Sequence, residues 1–324
     1  MLHRLLLLAC ASCALFSTAA PAQTAKFPDQ PIRMIVPFGP GGFGDITARL
    51  VAEGMGRVLG GQVIIDNRPG AGGVPAALAT LGGKADGYTL SLYTNGNAIS
   101  KSLYKKLPYD VEKDFAPVGL LAFFDLCILV PKDSKYKTLA DLLADAKARP
   151  GKLNFASINP GSTQNLSAEL FKSTAAIDVQ TVPFKTSPDV LRALVGGDAD
   201  FGIDAYAAMK SQIDSGMVRV LATTGPKRAP YLPPQVPTVK EAGVPTYEVV
   251  GWNALAVPAG TPPEIIAKLN DALNKATAMP EVKKRLLDLG AIAYAGTPSD
   301  MGKQLHNDAI KWADVIKKAH IPQQ

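Results

Sequence analysis

The stretch Phe38-Gly39-Pro40-Gly41-Gly42-Phe43-Gly44-Asp45 carries the residue types and spacing best suited to chemistry. Gly39, Gly41 and Gly44 satisfy G-x-G-x-x-G between a strand-like run at 32–36 and an amphipathic run at 46–59. Glycines let a backbone approach a ligand closely, and the unpaired N–H groups of a helix start attract an anion. Asp66 follows at the end of the next strand-like run, where a dinucleotide-binding fold places its ribose-binding acid. Two features oppose a nucleotide. Pro40 has no N–H to offer a phosphate cradle, and the three histidines, His3, His306 and His320, sit near the chain ends, away from any hydride-transfer position. A carboxylate suits the loop as well as a phosphate does, and a structural strand-to-helix turn is the plain alternative. Asp45 either meets a ligand or complements the dipole of its own helix.

A second cluster repeats the pattern. Ser157-Ile158-Asn159-Pro160-Gly161-Ser162-Thr163-Gln164-Asn165 follows a strand-like run and enters a helical one. Ser162 or Thr163 is a natural helix cap, and capping alone would explain both. Two such starts facing one another across a cleft would make a two-sided carboxylate clamp. Other chemistries find no support. No Ser-His-Asp set can be assembled, no Cys/His metal spacing exists, and no cofactor is implied. Phe38, Phe43 and Trp252 are candidates to line a pocket, with Trp252 equally suited to a core.

The elements that must position these groups alternate. Strand patterns at 32–36, 63–65, 89–92, 126–130, 155–157, 179–182, 201–203, 218–222 and 254–257 are separated by helical patterns at 46–59, 74–81, 139–148, 163–174 and 188–195, with further helices at 263–276, 280–289 and 298–318. Such βαβ alternation predicts a mainly parallel sheet. Two units of this size exceed one comfortable core, so two α/β domains with a hinge and a ligand cleft are expected. Residues 23–121 and 251–324 form domain 1 and 122–250 domain 2, with crossings near 121–124 and 250–254.

The N-terminus reads as a signal peptide over residues 1–22. A positive start to Arg4 precedes an apolar run at 5–16 and an A-x-A site at Ala20-Pro21-Ala22. The run is too short to span a membrane, which takes about 20 residues. Cys10 is a weak lipoprotein alternative. Export sends the chain to the periplasm, away from nicotinamide cofactors, and leaves Cys127 as the single mature cysteine, a buried hydrophobe rather than a nucleophile. The 34 Lys and Arg against 28 Asp and Glu give +6, which the loss of Arg4 reduces to +5. Basic residues are dispersed, so nucleic acid is a poor partner; a mild positive field suits anionic ligands.

Across essentially the whole mature chain the sequence resembles the substrate-binding proteins of tripartite tricarboxylate transporters, the Bug receptors. The resemblance is carried by Pro31-Ile32-Arg33-Met34-Ile35-Val36-Pro37-Phe38 with the glycines that follow, by Asp66-Asn67-Arg68-Pro69-Gly70-Ala71-Gly72-Gly73, and by Asp86-Gly87-Tyr88-Thr89-Leu90. Leu103-Tyr104-Lys105-Lys106-Leu107-Pro108-Tyr109-Asp110, Pro150-Gly151-Lys152-Leu153-Asn154-Phe155-Ala156-Ser157 and Val236-Pro237-Thr238-Val239-Lys240-Glu241-Ala242-Gly243 extend it. It implies a periplasmic-binding-protein-like (type II) Venus flytrap that is not an enzyme. The implied ligand is a small carboxylate, aliphatic or aromatic, and the implied partners are membrane transporter subunits or a sensor protein, with the receptor a monomer. Carried onto this chain, the ligand is held by Phe38, Pro40, Gly41, Gly42, Phe43, Gly44 and Asp45, by Thr94 and Asn95, by Ser157, Asn159, Gly161, Ser162 and Thr163, and at its distal end by Asp204. Phe43, Asn165, Lys185-Thr186-Ser187 and Ala205 depart from common family residues, which leaves the ligand open; Phe43 suits stacking on an aromatic carboxylate. An exported α/β enzyme using Asp45 or Asp204 is the alternative.

Overall fold

Runs of β-branched residues alternate with amphipathic runs along this chain, and each pair builds a strand followed by a helix. The computed structural model describes residues 27–324 apart from Gly42, Asn159 and Gly161. The expected signal peptide therefore lies outside the described residues.

The first elements are β1 (Ile32–Val36), α1 (Phe43–Leu59), β2 (Val63–Asn67), α2 (Val74–Leu81), β3 (Thr89–Thr94) and α3 (Asn95–Leu103). A long strand, β4 (Phe115–Pro131), leads to α4 (Leu139–Ala148), β5 (Asn154–Ile158), α5 (Thr163–Ala175), β6 (Gln180–Phe184), α6 (Ser187–Gly196), β7 (Phe201–Ala205), α7 (Tyr206–Asp214) and β8 (Val218–Thr223). The chain closes with β9 (Val250–Pro258), α8 (Pro263–Ala278), α9 (Pro280–Asp288), β10 (Ala291–Ala293) and α10 (Pro298–Lys318).

The strand order is β2-β1-β3-β9-β4-β7-β5-β6, with β8 and β10 also on β4. The sheet is mixed rather than mainly parallel. β1 runs parallel to β2 and β3, and β5 parallel to β6 and β7, but β9 and β4 are antiparallel to every strand they meet. The reason is connectivity: the chain passes between the two strand groups on β4 and back on β9 without a helical crossover, and two such passes must run in opposite directions.

β4 serves both groups. Residues from Phe115 to Asp125 pair with β9, whereas Leu126 onward pairs with β7 and β8. The return pass lies beside this switch: Thr224 N–H donates to Leu126 O (3.0 Å), Val249 N–H to Thr224 O (2.9 Å), and Val250 then faces Asp125. The sequence pattern saw only the last residues of β4, because the stretch from Phe115 is buried almost continuously and so does not alternate.

Two further helices, α3 and α7, escape the pattern because Asn95, Asn97 and Ser100 are buried polar residues in one and the other is a short, weakly periodic run. α1 starts one turn earlier than expected, since Gly44 lets the Phe38 ring lie against the first turn where a Cβ would collide with it. The C-terminal helices return to the first strand group: α8 packs on α1 and β4, α9 on β10, and α10 on α3 and β4. The first group buries Ile32, Met34, Val51, Met55, Leu269 and Leu273. The second stacks Phe155 on Phe201 (4.1 Å between centroids) beside Phe171 and Tyr247. Each side chain of this kind contributes about 1.5–3 kcal/mol. Cys127 is fully buried in this second group, and burial drives its thiol pKa well up, which leaves it inert.

Candidate ligand-binding site

Each parallel strand here is followed by a helix, so the first-turn N–H groups of α1, α2, α3, α5, α6 and α7 lie toward the carboxyl ends of the strands. In open α/β sheets this is where ligands bind. The α1 and α3 starts belong to one strand group and the α5, α6 and α7 starts to the other. Direct contact between α3 and α5 brings the two sets together.

The glycine loop is locked from within. Asp45 is almost fully buried, and its carboxylate accepts three hydrogen bonds: Gly41 N–H to Oδ2 (2.8 Å), Arg49 Nε–H to Oδ2 (2.9 Å) and Asn67 Nδ2–H to Oδ1 (2.8 Å). Asn67 also donates to Phe38 O (2.9 Å), which ties the loop to the end of β2. Burial pushes the Asp45 pKa up, but the bonds from Arg49, Asn67 and Gly41 outweigh it and hold the acid below the ordinary carboxylate value. Gly41, at φ +82°, adopts a conformation that suits glycine and aims its N–H at this acid, not outward. Phe38 is partly exposed over Gly44. Phe43 sets its ring edge-on to Phe124 (4.8 Å), just before the partner switch of β4. Pro40 lies in the exposed part of the loop, and Gly42 lies outside the described residues.

The returning strand β9 pins both helix starts of this group. Asn253 donates to Thr47 Oγ1 (3.0 Å) in α1, while Trp252 N–H donates to Asn95 Oδ1 (2.9 Å) in α3. Thr94 caps α3 through Oγ1, accepting from Gly96 N–H (3.1 Å), in a reciprocal box with Asn97. Asn95 is buried, its side chain turned into the protein; Trp252 is core.

The second cluster is looser. Ser162 caps α5, its Oγ accepting from Asn165 N–H (3.1 Å), and Thr163 opens the helix half-buried. Ser157 is fully buried at the end of β5 and accepts from Asn165 Nδ2–H (3.3 Å). Asn159 and Gly161 lie outside the described residues. Asp204, at the end of β7, is fully buried. Its Oδ1 accepts from Gln164 Nε2–H (3.1 Å) and from Ala205 N–H (2.7 Å), whereas among the described residues Oδ2 has no partner at hydrogen-bond geometry although the Ser187 hydroxyl is close enough to favour the anion. Burial dominates and raises the Asp204 pKa.

Gln164, Ser187, Asn67 and Asn253 take part in the site's framework without having been singled out as site residues. Gln164 stood inside the quoted second cluster and Asn67 beside Asp66, but nothing in their spacing shows which acid each would meet. A surface groove of about 430 Å³ lined by Lys101, Leu107, Tyr109 and Asp110 lies at the far end of α3 and shares no residue with the helix starts. Among the described residues, no group of three His, Cys, Asp or Glu side chains is placed to hold a metal, and no helix is long and apolar enough to cross a membrane.

A family model described as the tripartite tricarboxylate transporter family receptor matches residues 47–321. The chain belongs to that family of solute-binding receptors. It is 35% identical to BugT of Bordetella pertussis over 302 residues, 93% of this chain and 92% of BugT. The structure of R. palustris Rpa4515 with adipate superposes with a TM-score of 0.81 at 35% identity, covering 91% of this chain and 99% of that one. MatC from Rhodopseudomonas palustris with bound malate gives a TM-score of 0.77 at 33% identity, covering 90% and 100%. The α/β fold is that of the periplasmic binding proteins of this family, a family of receptors and not of enzymes.

Proposed function

We propose that this receptor captures a small dicarboxylate between the starts of α1 and α3 on one side and of α5 on the other, and releases it chemically unchanged. The observation that carries this reading is the convergence of helix starts from both strand groups at the carboxyl ends of the strands. Helix N-termini favour anions without a buried cation, and each charge-assisted bond contributes about 1.5–3 kcal/mol. Arg49, the cation tied into the glycine loop among the described residues, already pairs with Asp45. Relatives holding adipate and malate support a ligand with carboxylates at two ends.

In this reading residues 23–121 with 251–324, and residues 122–250, act as two domains that close about the partner switch of β4 and the start of β9. Phe38, Pro40, Gly41, Gly42, Phe43, Gly44 and Asp45 supply one wall with Thr94 and Asn95. Ser157, Asn159, Gly161, Ser162, Thr163 and Asp204 supply the other. Asp45 and Asn95 act by fixing backbone rather than by touching the ligand, because their side chains are spent internally. Residues 1–22 direct export to the periplasm, and the monomeric closed form is read by transporter subunits or a sensor. Thermal-shift and calorimetric titration with adipate, malate, tricarboxylates and aromatic carboxylates tests the reading. A dicarboxylate that raises the unfolding temperature and is recovered intact supports it. Indifference to the whole panel, or conversion of the bound acid, sinks it.

A further inference from the structure

The start of α3 is held by groups from two distant parts of the chain. Both amide hydrogens of buried Asn95 are used, one on Val250 O (3.1 Å) and one on Asp308 Oδ2 (2.9 Å), while its Oδ1 accepts from Trp252 N–H (2.9 Å). The indole N–H of Trp252 reaches the same Asp308 Oδ2 at 2.7 Å. One carboxylate oxygen on α10 thus gathers two donors, one from the helix start and one from the strand that returns from the second group.

The charge is balanced nearby. Lys311, one turn along α10, donates to Glu248 O (2.6 Å), just ahead of β9. Burial raises the Asp308 pKa against the pull of Trp252, Lys311 and Asn95, and lowers that of Lys311 against the pull of Asp308 and Glu248. Burying a carboxylate is a poor way to add stability, since well-packed apolar residues do as well or better. What a carboxylate adds here is a single point at which two N–H groups from different elements must meet.

We propose that Asp308 is a positioning residue for ligand capture: through Asn95 it clamps the Thr94–Asn97 helix start to the returning strand, so that the wall of the cleft and the hinge move as one piece. This rests on the reading that the α3 start lines the cleft. Asp308 itself touches no ligand, and its effect is on where the Thr94 cap and the first N–H groups of α3 stand.

Amide hydrogen exchange of the full, ligand-free chain tests the clamp without assuming a ligand. In Asp308→Ala, exchange at Gly96 and Asn97 should accelerate by about tenfold, the equivalent of one lost buried hydrogen bond, while α8 amides keep their rates. Asp308→Asn, whose amide oxygen can accept the same two bonds, should restore slow exchange. Acceleration spread evenly over the molecule, or none at Gly96 and Asn97, would overturn the proposal. If Asp308→Ala does not fold, Asn95→Ala breaks the clamp from the other side and is read the same way. In a second arm, the Kd for adipate and malate should rise about tenfold in Asp308→Ala and recover in Asp308→Asn. An unchanged Kd despite a lowered unfolding temperature would make Asp308 merely structural and overturn the proposal. Wild-type protein that binds neither acid counts against the carboxylate reading, and the exchange arm still decides for or against the clamp.

Discussion

Two aspartates stand beside corresponding helix starts, one in each strand group, and their surroundings are opposite. Asp45, in the first turn of α1, has both oxygens satisfied by Gly41, Arg49 and Asn67, and its pKa is depressed. Asp204, beside the start of α5, is buried with no well-aligned hydrogen bond to Oδ2 among the described residues, and its pKa is raised. The first acid completes a framework that exists before any ligand arrives. The second keeps one oxygen that, among the described residues, meets the Ser187 hydroxyl without good hydrogen-bond geometry. A buried polar atom left unsatisfied costs about 1–3 kcal/mol, so a ligand group that meets it recovers that energy. Under the proposed function, rigidity belongs to one wall of the cleft and selectivity to the other.

The sharpest way to break this contrast is Asp45→Ala. Loss of a buried acceptor of three bonds, with donors left behind, should lower the unfolding free energy by about 3 kcal/mol in urea denaturation. A change below about 1 kcal/mol would mean that the loop is not held by this acid.

Asp204→Asn should do the reverse, leaving stability at neutral pH equal or higher while changing the Kd of the preferred acid by about tenfold. The pH dependences should differ in sign as well. Because the folded-state pKa of Asp204 is raised, the folded protein holds its proton more tightly, and stability falls as pH rises from the ordinary carboxylate value through the folded one. Because that of Asp45 is depressed, its contribution is present above the ordinary value and is lost as pH falls through the folded one. Urea titrations across the acidic range should show Asp204→Asn removing the first trend and Asp45→Ala the second; identical profiles would erase the distinction.

The smallest effect is expected at Gly41. Alanine at φ +82° should cost about 1 kcal/mol in the same denaturation series. It should weaken ligand binding only insofar as the loop shifts; a stability-neutral Gly41→Ala would show that the loop is less constrained than its bonds to Asp45 suggest.

Much of the architecture was legible in the chain. The α10 span, from Pro298 to Lys318, is the span its periodicity predicts, since a capping threonine, an N1 proline and a long apolar stripe all agree there. α8 and α9 likewise begin at Pro263 and Pro280. The helix of Asn95 to Leu103 was not legible, because its buried polar residues are explained by partners from β9 and α10 that no local window contains. Both the glycine loop and the Ser157–Asn165 cluster were recognisable as helix starts. Phe43, which suits stacking on an aromatic carboxylate, sets its ring edge-on to Phe124, a contact between residues 81 positions apart that no local window contains.

The amino-acid sequence by itself determined the strand–helix alternation, the two polar helix starts and the family, because each is written in short-range pattern or in residues shared with relatives. Tertiary structure alone decided which polar groups are spent and which are free. Gly41 and Asp45 satisfy one another, Asn95 is bound to β9 and α10, and Asp204 keeps one oxygen without a well-aligned partner among the described residues. The physical reason is that a hydrogen bond's worth depends on burial and on the presence of a second group within about 3 Å. Those partners, Asn67 for Asp45, Asp308 for Asn95 and Gln164 for Asp204, lie 22, 213 and 40 positions away.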